Sequence, residues 1–153
     1  MIAELALALA GFGGVAAAFG GSNRSYAPAE ITRLQSLFSH AFVALLISSL
    51  AITLPSFGLE SESAYLWSSR VGALIQIPLS GNFVIRAYRL AADPTASTSW
   101  SVFGLIVGFL VAIPLLFCAS LVLGSSLGFL LAALFVQILF GLWAFTRVLT
   151  RRN

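Results

Sequence analysis

An all-α membrane fold, a polytopic five-transmembrane-helix bundle spanning residues 1–153 as one unit, is predicted by three observations on this chain. Five uninterrupted apolar stretches lie at residues 2–20, 37–54, 65–85, 101–123 and 127–146. Each is close to the roughly 20 helical residues that cross some 30 Å of hydrocarbon. Hydrophobic residues make up 59% of the chain and charged residues 8%, with a mean hydropathy of +1.02; about a quarter of a soluble domain is charged. The connections are too short to fold as a separate module, so any activity belongs in or at the bilayer.

The first stretch opens Met1-Ile2-Ala3-Glu4, with no basic residue ahead of the apolar run, and reads as a span rather than a cleaved signal. Within it Ala10, Gly14 and Ala18 recur every four residues, a helix-packing spacing that lets backbones approach closely. Glu4 is the sole acid inside a span. With Arg70 it is a candidate outer mouth in a ring of subunits, against the simpler reading of a side chain meeting interfacial water. The run Ala10-Gly11-Phe12-Gly13-Gly14-Val15 resembles the first helix of small multi-pass proteins of bacterial inner membranes. That resemblance implies multi-pass topology in such a membrane and no activity.

A juxtamembrane helix is expected over about residues 28–36. Pro28 suits a first helical turn, Glu30 favours its positive end, and Ile31, Leu34, Phe38, Phe42 and Leu45 carry the period into the second span. Pro55-Ser56-Phe57-Gly58 then breaks the chain.

The third stretch is the least apolar, with Arg70, Gln76, Pro78, Ser80, Gly81, Asn82 and Arg86. It is expected to be buried or to line a cavity, with a kink where Pro78 removes a backbone hydrogen bond and frees the Leu74 carbonyl. In the fourth stretch Gly104, Gly108 and Ala112 repeat the small-residue spacing, and Pro114 adds a second kink. Gly124-Ser125-Ser126 turns the chain tightly into the fifth, where Gln137 sits as deep as Gln76. Each glutamine precedes an arginine by ten residues, Arg86 and Arg147, a weak trace of a parallel repeat of the kind some transporters use. Two readings of the amides compete: an interhelical hydrogen bond, or a polar path formed by Gln76, Ser80, Asn82, Arg86 and Gln137. Trp67, Trp100 and Trp143 lie near span ends, where an indole prefers the headgroup region.

Charge sets the orientation. Arg24, Arg33, Arg86, Arg89, Arg147, Arg151 and Arg152 share one face with Glu30 and Asp93, while Glu4, Glu60, Glu62 and Arg70 share the other. The positive-inside rule places the N-terminus outside and the C-terminus in the cytoplasm. The same distribution argues against nucleic acid as a partner.

Several chemistries lack their residues. There is no lysine for a Schiff base, one cysteine (Cys118) that can form no intramolecular disulfide, and one histidine (His40), so no metal or cofactor is expected. No His-Glu-x-x-His run is present, and the chain is not expected to be an enzyme. The leading functional expectation is passage of a small ion or solute through an oligomeric bundle lined by the third span. The alternative is a non-transporting accessory subunit or scaffold; a third reading is lipid or quinone binding near Trp67 and Arg70. The partners expected are membrane lipid, further copies of the chain and another membrane protein.

Overall fold

The computed structural model describes Gly11 and residues 28–92, 100–123 and 126–150. Apart from Gly11, the expected first span at residues 2–20, and with it Glu4, Ala10, Gly14 and Ala18, lies outside the described residues. Four helices make up the rest: α1 Pro28–Ser56, α2 Ser61–Ala92, α3 Trp100–Val122 and α4 Ser126–Thr150.

Pro28 opens α1, and one helix of 29 residues covers both the juxtamembrane segment and the second apolar stretch. It stops where Phe57 N–H and Gly58 N–H bond back to the carbonyls of Leu54 and Pro55 at 3.1 and 3.0 Å, and Gly58 takes φ +89°. That left-handed turn is open to glycine at little steric cost. The Glu60 carbonyl accepts the first α2 bond from Ala64 N–H at 2.9 Å, and Glu62 stands at the positive end of the helix. The 32 residues of α2 run unbroken through Pro78, as the 23 of α3 do through Pro114.

Successive helices pack antiparallel, α4 closes against α1, and α2 meets α4 across the diagonal while α1 and α3 stay apart. Two apolar clusters fill the bundle. One contains Val43, Ile47, Ala73, Ile113, Phe117, Ala133 and Leu134; the other contains Phe83, Leu110 and Phe140, nearer the end where Arg33, Arg86, Arg89 and Arg147 lie.

Three helical segments are long and apolar enough to cross a membrane, Ile31–Ser56, Trp100–Val122 and Leu127–Arg147, which marks a membrane-associated all-α protein. Helix α2 is long enough but too polar to join them by composition. The reason is visible in which way it faces. Ser68, Ser69, Gln76 and Ser80 point into the bundle, while Trp67, Leu74, Ile77, Ile85 and Tyr88 point out, Leu74 at 75% exposure. Ser68, Ser69, Gln76 and Ser80 therefore raise the average polarity without meeting the outside.

Candidate functional site

A polar layer crosses the middle of the bundle. Gln137 on α4 lies one turn from Leu134 of the first cluster and one turn from Phe140 of the second. Gln76 on α2 likewise lies between Ala73 and Phe83. Gln137 Nε2–H donates to Gln76 Oε1 at 3.2 Å, and Gln76 Nε2–H donates to Ser80 Oγ at 3.2 Å. Gln76 is 0% and Gln137 1% exposed, so the chain of bonds is shut off from the surface. Only Gln137 Oε1 within this layer has no partner among the described residues.

The polar set expected along the third span is therefore divided. Gln76, Ser80 and Gln137 meet inside the bundle, whereas Asn82 is exposed on the outer face of α2 and Arg86 is half-buried, its Nη1–H donating to Gln35 Oε1 on α1. A single lining formed by all five is not what the chain builds, because Asn82 lies a half-turn round the helix from Ser80. Arg70, the described half of the expected mouth, is exposed with its guanidinium 4.9 Å from the Trp67 ring. Glu4 falls outside the described residues.

The packing faces also differ from expectation. Gly104 and Gly108 are exposed, and a side chain at either would meet nothing within 4 Å; Ala112 beside them is half-buried. The close approach inside the bundle falls on α2 instead. A Cβ at Gly72 would lie 2.6 Å from Phe117 Cε1, so the fully buried Phe117 ring of α3 rests against bare backbone. Beside that contact Ser69 and Ser120 share a hydroxyl hydrogen bond of 2.8 Å between the same two helices. Ala64, Ser68, Gly72, Gln76 and Ser80 recur every four residues, the same sequence spacing as Ala10, Gly14 and Ala18 and as Gly104, Gly108 and Ala112. That spacing was the available signal, masked by the polar character of two of its members.

His40 is completely buried on α1, where Nδ1–H donates to the Ser36 carbonyl at 2.7 Å, one turn back. Its ring packs against Phe140 at 4.9 Å and Phe83 at 5.6 Å, in the interior of the bundle. Of the expected tryptophan anchors, Trp67 and Trp100 are exposed, Trp100 against Phe103 and Tyr88. Trp143 is turned partly inward and stacks on Phe140 at 5.9 Å. Among the described residues no group of three His, Cys, Asp or Glu side chains is placed to hold a metal ion.

Together these features define a class: an antiparallel helical bundle with an apolar exterior and a hydrogen-bonded polar layer closed between two apolar clusters. Comparison with family models, curated proteins and solved structures gave no match to this chain.

Proposed function

We propose that the chain is a five-span membrane protein, N-terminus outside and C-terminus in the cytoplasm, that acts as a non-conducting, non-enzymatic accessory or scaffold subunit. One observation carries this reading: the Gln137–Gln76–Ser80 chain of bonds is buried, with only Gln137 Oε1 unbonded among the described residues and apolar clusters above and below it. An ion or solute crossing the bundle would need polar groups facing water at that depth.

The fifth span would be residues 2–20, and the arginines at one end of the bundle support the orientation through the positive-inside rule. Resemblance of the first stretch to small inner-membrane proteins supports a bacterial inner membrane. The open Gly104 and Gly108 face supports an association in the membrane, with another copy of the chain or a different membrane protein, because small residues there let a helix backbone come close. Passage of a small ion or solute is the second reading, favoured by Asn82: a polar side chain on the outer face of α2 would fit a lumen formed between subunits.

The test is flux. Reconstituted alone in liposomes, the protein should pass no ions or small polar solutes above protein-free vesicles. Flux that Asn82→Leu abolishes would establish the second reading, and flux that Gln76→Leu abolishes would open the bundle itself.

A further inference from the structure

We propose that the arginine end of the bundle is a binding site for an anionic membrane phospholipid, with the headgroup phosphate on an arginine rim and the adjoining methylenes in the cleft it surrounds. The cleft encloses about 40 Å³ between the ends of all four helices, room for about three water-sized or methylene-sized groups. Its walls are mainly apolar, with Phe83, Leu110, Phe140 and Trp143 prominent, and Arg33 and Ser36 of α1 supply polar atoms.

One guanidinium lines this cleft and two more lie against aromatic rings of its wall. Arg33 is part of the wall and only 8% exposed. Arg86 lies 5.8 Å from the Phe83 ring and Arg147 5.7 Å from the Trp143 ring, so each sits on an aromatic side chain that lines the cleft. A phosphate placed beside these groups would accept charge-assisted bonds from their N–H groups.

The depth selects a lipid over a free anion. Arg33 stands two residues inside the apolar segment Ile31–Ser56, and Arg147 is the last residue of Leu127–Arg147. Both therefore lie at the edge of the hydrocarbon, where lipid phosphates lie, and basic pockets between helices at that level suit acidic headgroups. Apolar walls behind the rim offer nothing to a hydrated inorganic ion and suit methylenes.

The proposal is tested by lipid titration of the purified full chain in a neutral detergent, read by native mass spectrometry and thermal stabilisation. The probes are phosphatidylglycerol, phosphatidylcholine with the same acyl chains, and inorganic phosphate. Phosphatidylglycerol should bind and stabilise selectively, while phosphatidylcholine and inorganic phosphate do neither. Arg86→Gln and Arg147→Gln, at side chains that are not fully buried, should each weaken phosphatidylglycerol about fivefold. A photoreactive phenylalanine analogue in place of Trp143 should attach to lipid. Equal binding of the two lipids, stabilisation by inorganic phosphate alone, an unchanged preference in the Arg86→Gln/Arg147→Gln variant, or attachment only to the chain's own residues would each overturn it.

Discussion

Replacing Gln137 by leucine, alone and together with Gln76→Leu, tests whether the middle of this bundle is held by a paired amide. Leucine nearly conserves the volume, so the effect is chemical and little cavity forms. The single variant removes the 3.2 Å bond from Gln137 Nε2 and leaves Gln76 Oε1 facing an apolar group at 0% exposure. A buried acceptor left without a donor costs about 1–3 kcal/mol. Part of that is offset, because Gln137 Oε1 is already without a partner and its own penalty disappears with the side chain. Interhelical hydrogen bonds in membrane bundles average about 0.6 kcal/mol and reach about 1.7, so a net loss of about 1 kcal/mol is expected.

Gln76→Leu should cost more, about 1–3 kcal/mol, since it breaks the bonds to both Gln137 and Ser80 and strands a complete amide. The double variant leaves neither amide, and Ser80 can turn its hydroxyl to the carbonyl one turn back. It should fall within about 1 kcal/mol of the parent, well short of the summed single costs. Reversible unfolding in mixed micelles, run as a double-mutant cycle, measures the coupling. Additivity within about 0.5 kcal/mol, or a stabilised Gln137→Leu single variant, would refute a paired, dry amide layer.

Two further outcomes are expected. Gly72→Ala should destabilise by about 1 kcal/mol or more through its overlap with Phe117, whereas Gly81→Ala, whose Cβ meets nothing within 4 Å, should be neutral or stabilising by up to about 1 kcal/mol; thermal unfolding of the two variants in one detergent compares them. For orientation, reporters fused after residue 153 and in the Pro55–Glu60 turn should report opposite sides, and Glu60→Arg with Glu62→Arg should produce a mixed-topology population. Reporters on the same side would break the five-span assignment, and an unmixed population would show span hydrophobicity outweighing those two charges.

Much of the element pattern is legible in the sequence because length and hydropathy act locally. Pro28 marks the start of α1, Gly58 its turn, and Ser126 the start of α4. Counting helical rise along two antiparallel spans also puts Gln76 and Gln137 at one depth, which their hydrogen bond requires. The faces were harder to read. Gly104 and Gly108 advertise close packing yet are open, while the contact that matters inside the bundle is Gly72 against Phe117. His40 is packed between Phe83 and Phe140 in the interior, its bond running back to its own helix, a placement that no local pattern announces.

What the sequence by itself determined is the four described helices, the place of Arg33, Arg86, Arg89 and Arg147 toward one end and the depth of the amides, since each follows from the order of residues along one helix. Only the tertiary structure decided which side each helix turns inward, that Asn82 parts from Gln76 and Ser80, and that the amide layer is sealed by apolar clusters. In hydrocarbon an apolar side chain is as well placed against lipid as against protein, so hydropathy selects no face. Close packing and the need of each buried polar group for a partner make that choice, and both depend on residues far apart in the chain.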